Sequence, residues 1–308
     1  MKTKQDIQKR IRQERSAVLV VNTHSRRGEQ LFFAAMDELA KRGVHVAASY
    51  PVRDPARLSE AVREGIERGH ALVIVGGGDG TISSIVDYFA YRDVVLGILP
   101  LGTGNSFART LGIPLSLNGA LDVIVNGKVV DIDLGKVNDD YFANVASLGF
   151  SADIARQTPR SLKRYLGVVA YVLVGVWNLL ERQAFRCRLE LDGETHVLRT
   201  HQIIIANGSF FGVTKLAPDA QVNNRQFIVF TMDTVSRWQM AKLWVAFWLG
   251  RHRAFSEARY FATREVTIDA VPPQYIDVDG ETTTRTPVRI TLAAEALKVL
   301  APVTFEDE

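Results

Sequence analysis

The chain has 308 residues, of which 47% are hydrophobic and 23% are charged, so its composition excludes an extensively disordered protein. Its length is sufficient for two domains, and a net charge of +3 is compatible with nucleotides or anionic membranes as partners. We expect no nucleic-acid partner. The single cysteine, Cys187, excludes an internal disulfide and a cysteine-rich metal site, and it fits a reducing, cytoplasmic compartment.

The first third of the chain alternates predicted strands and helices. Strands are predicted at 18–22, 44–50, 71–75 and 94–99, and helices at 31–41, at 54–68 and after the loop at 76–81. This β-α-β-α order predicts a parallel, Rossmann-like sheet covered by helices. Ligands of such sheets bind at the carboxyl ends of the strands, and polar or glycine-rich loops follow three of the predicted strands there.

The first of these loops, residues 22–28, has the sequence Asn-Thr-His-Ser-Arg-Arg-Gly. The side chains that can hydrogen-bond to phosphate or ribose oxygens are Asn22, Thr23, Ser25 and Arg26. Taken alone, the segment fits an ordinary solvated turn as well as a binding site. Its position at the same edge as two glycine loops favours binding.

The second loop places glycines between an apolar strand and an amphipathic helix. Its residues are Gly76, Gly77, Gly78, Asp79, Gly80 and Thr81. Because glycines let the backbone approach an anion closely and a helix start offers unpaired N–H groups, the loop predicts a phosphate cradle. Asp79 would repel phosphate unless a cation stood between them. The loop therefore predicts a magnesium-bound nucleotide and a phosphoryl-transfer enzyme.

The third loop, Pro-Leu-Gly-Thr-Gly-Asn at 100–105, is ambiguous on its own. Gly102 and Gly104 fit a tight turn as well as a phosphate contact. Thr103 is available to contact phosphate or sugar, and Asn105 is predicted to be the N-cap of the helix that follows. The pairing of this loop with the preceding glycine loop makes a nucleotide site the favoured interpretation.

From about residue 129 the pattern changes to short runs that predict antiparallel strands. These strands are predicted at 129–137, 141–146, 186–191, 196–206, 227–232, 266–268 and 288–292. Helices near 162–180 and 236–249 interrupt them. The nearly apolar stretch at 166–180 is shorter than the ~20 residues that a membrane span needs, so we expect a buried helix. No apolar segment follows the basic N-terminus, so we expect no signal peptide.

Together these segments resemble the diacylglycerol kinase catalytic family of bacterial lipid kinases, which also includes sphingosine and ceramide kinases. The matching segments are 77–81, 99–108, 144–150, 216–220 and 279–281. The resemblance implies an α/β nucleotide-binding domain at 1–134, to which 296–308 would return. It implies an antiparallel β-sandwich lipid-substrate domain with inserted helices at 135–295.

The resemblance also implies a reaction and its participants. It implies ATP and Mg²⁺ as cofactors, phosphate transfer to a lipid alcohol such as diacylglycerol, and transient contact with the inner face of the membrane. Residues 77–81 and 103–105 would hold the triphosphate. Asp79 would act through the ATP-bound magnesium, and Asn22 and Ser25 would fix the nucleotide. The oligomeric state is left open.

The tripeptide Asp-Gly-Glu occurs twice, at 192–194 and at 279–281. The first copy is predicted to be a hairpin turn. For the second copy, the resemblance implies that Glu281 is the general base for the acceptor hydroxyl and that Asp279 is its acidic neighbour. From the sequence alone, a second hairpin turn remains the alternative.

The sequence departs from the family pattern at two places. Thr23 replaces the usual proline of the first loop, which we treat as a variant. Asn223-Asn224-Arg225 replaces Asp-Asp-Gly, so Asn224 can offer a metal ion a carbonyl oxygen but no charge. Magnesium prefers carboxylate and water oxygens, so we predict that this accessory site is weak or absent.

Two other functions stay open at this stage. An NAD kinase shares the Gly-Gly-Asp-Gly-Thr loop, but that family lacks the Pro-Leu-Gly-Thr-Gly-Asn segment. A regulatory protein could bind nucleotide or lipid without turnover.

Overall fold

The computed structural model describes residues 2–24, 26–149, 184–211, 214–215, 221–233, 242, 246 and 258–306. The contacts divide the chain into two units. Unit 1 comprises Met1–Leu134, Val222–Asn224 and Ala293–Glu308, and unit 2 comprises Gly135–Gln221 and Arg225–Leu292.

The helices and strands are as follows. The helices are α1 (Lys4–Glu14), α2 (Arg26–Lys41), α3 (Leu58–Glu67, after a 3₁₀ turn at Pro55–Arg57), α4 (Asp79–Ser83), α5 (Val86–Phe89), α6 (Ser106–Thr110) and α7 (Leu117–Asn126). The strands are β1 (Ser16–Asn22), β2 (His45–Val52), β3 (Leu72–Gly77), β4 (Val95–Pro100), β5 (Lys128–Val137), β6 (Asp140–Phe142), β7 (Val145–Gly149), β8 (Phe185–Leu191), β9 (Glu194–Ala206), β10 (Phe210–Phe211), β11 (Thr214–Lys215), β12 (Phe227–Asp233), β13 (Ala258–Thr263), β14 (Glu265–Val271), β15 (Tyr275–Val278), β16 (Glu281–Arg285) and β17 (Val288–Ala301).

Unit 1 contains a parallel sheet with the strand order β2-β1-β3-β4. β3 and β4 are buried along their whole length, which explains why their sequences are continuous apolar runs. The last part of β17 also runs parallel to β4, with Val299 opposite Leu96. The predicted parallel α/β sheet is confirmed.

α1 lies along the amino ends of these strands. Gln8 Oε1 accepts a hydrogen bond from Val129 N at 3.2 Å, and Arg10 Nη2 donates to Gly69 O at 2.8 Å. Only Ile7 of this helix is buried. The helix is therefore placed at the edge of the sheet opposite to the glycine loops.

The segment after the first glycine loop forms two short helices, α4 and α5, instead of the single amphipathic helix that the sequence predicts. Ser84 lies at the break. Its hydroxyl donates to Thr81 O at 2.9 Å, and its carbonyl accepts from Ser59 Oγ at 3.1 Å. Serine hydroxyls that bond to nearby backbone groups compete with the helical hydrogen bonds, and this ends α4 early.

Unit 2 is an antiparallel β-sandwich. β9 pairs with β8 in its first half and with β7 and β12 in its second half, so a single strand contributes to both layers. At the change of partner, Thr200 Oγ1 donates to Gln202 O at 2.9 Å. Inward side chains from both layers share one core, in which Phe142 and Phe227 stack with centroids 6.0 Å apart.

Several predicted segments fall outside the part of the chain that the structure describes. These are the helix at 162–180, most of the helix at 236–249, the segment at 216–220, and Phe150 and Ser25. Among the described residues, no helix is both long enough and apolar enough to cross a membrane.

Candidate active site

The two glycine loops of unit 1 are in direct contact at the carboxyl edge of the sheet. Leu101 N donates to Gly77 O at 2.9 Å. A Cβ atom placed on Gly102 would lie 2.5 Å from the Cα of Gly78, a distance that real Cβ atoms do not adopt. The two backbones can approach this closely only because both positions are glycine. The segments at 77–81 and 102–105 therefore converge.

The first loop is connected to this pair through Thr81. A Cβ atom on Gly77 would lie 2.3 Å from Thr81 Oγ1, so the threonine side chain occupies the space that this glycine leaves. The same hydroxyl accepts a hydrogen bond from Asn22 Nδ2 at 3.3 Å. Thr23 is 4% exposed, and its N donates to Val52 O at 2.8 Å at the end of the neighbouring strand. The structure thus brings Asn22, Thr23 and Thr81 together at one edge.

Asp79 has a structural role that the sequence did not reveal. Its Oδ2 accepts from Ser106 Oγ at 3.2 Å, and its Oδ1 accepts from Phe107 N at 3.4 Å. The carboxylate therefore caps α6 and holds the two glycine loops together. Burial raises the pKa of Asp79 above its ordinary value, against the opposing effect of hydrogen bonds from the start of α6.

Asn105 occupies the N-cap position of α6, as predicted, but its side chain makes no capping hydrogen bond. Its backbone is left-handed, with φ at 50°. Its amide instead bridges Gly102, accepting from N at 2.9 Å and donating to O at 2.8 Å. The predicted N-cap position is confirmed, and the hydrogen bonds from the start of the helix go to the Asp79 carboxylate instead of the Asn105 side chain.

The outer side of this loop pair is open. Gly80 and Thr103 are exposed, and a Cβ atom on Gly80 would have no neighbour within 4 Å. Arg109 on α6 donates a hydrogen bond from Nε to Gly104 O at 2.8 Å and so holds the loop against this helix. No sequence motif singles out Arg109. Its place five residues after Gly104, in the helix that follows, was the available signal.

A surface cavity of about 430 Å³ lies between β2 and α3 in unit 1. Val52, which lines it, pairs with Asn22 at the end of β1. Its other lining residues are Ser49, Tyr50, Pro51, Arg53, Asp54, Arg57, Glu60, Ala61 and Glu64. No sequence motif marks this cavity. Its charged lining residues are Arg53 and Asp54 after β2, Arg57 in the 3₁₀ turn, and Glu60 and Glu64 on α3. Of Arg26 the structure describes only the backbone, at the start of α2.

In unit 2 the second Asp-Gly-Glu forms a two-residue hairpin turn. Val278 pairs with Glu281, and Asp279 and Gly280 have φ values of 48° and 96°. The Asp279 carboxylate accepts from three successive backbone N–H groups, those of Ala143 at 2.9 Å, Asn144 at 3.2 Å and Val145 at 2.8 Å. Asp279 therefore anchors the turn to the segment before β7.

Glu281 is exposed at the start of β16. Within the described part of unit 2, its carboxylate has no hydrogen bond or ion pair. The first copy of the tripeptide folds in the same way, with φ values of 47° at Asp192 and 91° at Gly193, but its Glu194 lies 3.8 Å from His196. The turn itself does not distinguish the two copies. The surroundings of the two glutamates do.

The segment that departs from the family pattern is held by backbone contacts in unit 1. Asn223 Nδ2 donates to Glu306 O at 2.9 Å, and Val222 O accepts from Asp133 N at 2.6 Å. Among the residues that the structure describes, no group of three or more His, Cys, Asp or Glu side chains could hold a metal ion. The weakness of the accessory site at Asn224 stays a prediction.

Comparison with known proteins agrees with these features. Residues 16–137 match the model of the diacylglycerol kinase catalytic domain, and residues 144–301 match the YegS C-terminal NAD kinase beta sandwich-like domain. The chain belongs to the diacylglycerol kinase catalytic domain family. This confirms the resemblance on which the sequence analysis relied.

Relatives and solved structures of this family cover nearly the whole chain. The diacylglycerol kinase of Staphylococcus saprophyticus subsp. saprophyticus is 27% identical over 290 residues, which cover 91% of this chain and 94% of the relative. That of Staphylococcus aureus strain bovine RF122 is 29% identical over 273 residues, covering 87% and 86%.

The crystal structure of a diacylglycerol kinase from Bacillus anthracis str. Sterne has a TM-score of 0.72 at 17% identity and covers 95% of this chain and 98% of its own. Another structure from that organism has a TM-score of 0.80 at 20% identity, covering 95% and 97%. At these identities the structures show the shared fold.

Proposed function

We propose that this family member is an ATP-dependent lipid kinase that transfers the γ-phosphoryl group to the hydroxyl of a lipid such as diacylglycerol. The observation that carries the proposal is the contact between the two glycine loops, whose outer side is open at Gly80 and Thr103. The names of the relatives support diacylglycerol as the first acceptor to test.

The nucleotide would bind through the backbones at 77–81 and 103–105. Catalysis of phosphoryl transfer depends mainly on positioning and charge stabilisation, and a rigid pair of loops serves that purpose. Thr103 would contact a phosphate oxygen, and Asn22 with Thr23 would face the nucleotide from the first loop. Ser25 and Arg26 are proposed to assist there.

Asp79 would hold the ATP-bound Mg²⁺, which neutralises phosphate charge when bound. The chemistry of this carboxylate fits the role. An ionised carboxylate has about four acceptor positions, and hydrogen bonds from Ser106, Phe107 and Asn105 at the start of α6 already use several of them. The same residue therefore supports the loop pair, and it would bind a cation by exchanging some of these hydrogen bonds.

Glu281 would accept the proton of the attacking hydroxyl. Its carboxylate is exposed, and none of the described residues of its unit forms a hydrogen bond or ion pair with it. Asp279 would act as its acidic neighbour by fixing the turn. Because the acceptor resides in a bilayer, we also propose that the protein works at the cytoplasmic face of the membrane.

The test compares two glutamates in the same kind of turn. Glu281→Gln should retain ATP binding, measured by calorimetry, and lose phosphate transfer from radiolabelled ATP to detergent-dispersed diacylglycerol by about 10²-fold or more. Glu194→Gln is the matched control and should retain both. Full activity of the Glu281→Gln protein would exclude Glu281 as the base.

The same assay separates the alternatives. Transfer to NAD instead of lipid would support an NAD kinase. Absence of transfer to every lipid in a total extract, with ATP binding intact, would support a regulatory protein.

A further inference from the structure

Thr23, at the position where the family usually has a proline, ties the first loop to the neighbouring strand. Its N–H donates to Val52 O at 2.8 Å, a hydrogen bond that a proline cannot make because it has no N–H. The next residue continues the contact, since His24 Nδ1 lies 3.3 Å from Arg53 O. The replacement of proline therefore extends the contact between β1 and β2 beyond the ends of both strands.

The Thr23 side chain also places a hydroxyl group at this edge of the sheet. The residue is 4% exposed, and its Oγ1 has no hydrogen-bond partner among the residues that the structure describes. A buried hydroxyl without a partner is unfavourable for folding, because it gives up the hydrogen bonds that it makes with water in the unfolded chain. Valine has the same shape and avoids this cost. The contacts of the described residues therefore do not explain why a hydroxyl is present here.

The strand order places Thr23 next to the loop at 77–81. β1 lies between β2 and β3, and neighbouring strands are about 4.8 Å apart. Asn22, the residue before Thr23, donates from Nδ2 to Thr81 Oγ1 at 3.3 Å and so links the first loop directly to the first glycine loop. A ligand whose phosphates lie over the glycine loops can therefore reach Thr23 with the group that follows its phosphates.

We propose that the Thr23 hydroxyl hydrogen-bonds to a ribose hydroxyl of the bound nucleotide and so makes the site distinguish ribonucleotides from deoxyribonucleotides. The inference rests on the proposed kinase function, in which the triphosphate lies over the glycine loops and the sugar follows it toward β1. A threonine hydroxyl can both donate and accept a hydrogen bond, and so can a ribose hydroxyl. The two groups are complementary, and the contact supplies the partner that the described residues do not offer.

The experiment measures the binding of ATP, 2′-deoxy-ATP and 3′-deoxy-ATP, each with Mg²⁺, to the full chain by titration calorimetry without a lipid acceptor. Thr23→Val keeps the shape of the side chain and should bind ATP about fivefold more weakly, as expected for one hydrogen bond between neutral groups. For the deoxynucleotide that lacks the contacted hydroxyl, wild type and Thr23→Val should agree within about twofold. Thr23→Ser retains the hydroxyl and should discriminate between the nucleotides as wild type does.

Thermal unfolding distinguishes a ligand contact from a structural role of the hydroxyl. If Oγ1 serves the nucleotide, Thr23→Val removes an unfavourably buried group, and the variant should melt at the same temperature as wild type or higher. A lower melting temperature, together with weaker binding of all three nucleotides, would show a structural role and overturn the proposal.

A matched control comes from a second threonine in unit 1. Thr110 Oγ1, on α6, is also buried without a hydrogen-bond partner among the described residues. Thr110→Val therefore removes the same kind of group, and it should change the affinity for each nucleotide by no more than about twofold. If Thr110→Val weakens ATP binding as much as Thr23→Val does, the effect is not specific to Thr23 and the proposal fails.

The remaining outcomes separate this inference from the proposed function. If wild type and Thr23→Val bind all three nucleotides equally well, the hydroxyl makes no nucleotide contact, and the kinase proposal stands. If Thr23→Val loses the same factor with both deoxynucleotides as with ATP, the hydroxyl does not contact the sugar, and the inference is refuted. If wild type binds no ATP, the proposed nucleotide site itself is refuted, and this inference with it.

Discussion

Replacing Gly80 by alanine should raise the stability of the protein and weaken ATP binding. Gly80 lies inside α4, and a Cβ atom there would meet no protein atom within 4 Å. Alanine in a helix is favoured over glycine by about 0.5–1 kcal/mol, which raises the melting temperature by roughly 1–4 °C. If the open space is the phosphate site, the new methyl group occupies it, and we expect ATP to bind at least about tenfold more weakly, or 1.4 kcal/mol.

The matched substitution in the other glycine loop, Gly102→Ala, should lower the stability of the protein. A Cβ atom on Gly102 would lie 2.5 Å from the Cα of Gly78 and 2.9 Å from Asn105 Oδ1, so the two loops must separate. Overpacking of this kind costs about 1–3 kcal/mol. Thermal unfolding measures the stability of each variant, and titration calorimetry measures its affinity for ATP. If Gly80→Ala binds ATP as tightly as wild type, the phosphate does not lie over this loop.

Further predictions concern the acidic residues. Asp279→Ala leaves three backbone donors without their acceptor, so it should lower the free energy of unfolding in urea by about 3 kcal/mol or more. Asp192→Ala, at an exposed turn, should lower it by about 1 kcal/mol. Equal losses in the two variants would contradict the anchoring role of Asp279. Since the folded pKa of Asp79 is raised from 3.8, its contribution to the free energy of unfolding should fall as the pH rises from 3.8 through the folded pKa, and the difference between wild type and Asp79→Asn should show this slope. Asn224→Asp should create a magnesium site, so that Mg²⁺ at 100 times Kd raises the free energy of unfolding by about 2.7 kcal/mol and raises the melting temperature. The wild-type protein should show no such shift with Mg²⁺.

Much of the fold of unit 1 could be predicted because its signals are local. The apolar runs of β1, β3 and β4 and the glycines after them lie next to each other in the sequence. α1 was missed because a polar helix with one buried residue, Ile7, has no apolar periodicity. Its position depends on contacts such as that of Arg10 with Gly69, 59 residues away.

The sequence predicted which residues of the glycine loops lie together, but not which hydrogen bonds they make. The pairing of the glycine loops followed from their common edge, but the capping of α6 by Asp79 did not. Asn105 is a residue type that is preferred at the N-cap and lies directly before the helix, so local propensity alone predicts that its side chain accepts a hydrogen bond from the first turn. The Asp79 carboxylate, 27 residues before Ser106, binds the start of the helix instead, and a rule based on neighbouring residues cannot predict this contact.

The repeated Asp-Gly-Glu tripeptide shows what sequence and backbone cannot decide. Both copies form the same turn, and in both the aspartate binds backbone N–H groups of a neighbouring segment. Any argument from turn geometry therefore applies equally to Glu194 and Glu281. The difference lies in the glutamates themselves, because Glu194 has a histidine nearby and Glu281 has no partner among the described residues. An exposed carboxylate on an anchored turn can accept a proton from a ligand, and this difference among the described residues, together with the family, makes Glu281 the base to test.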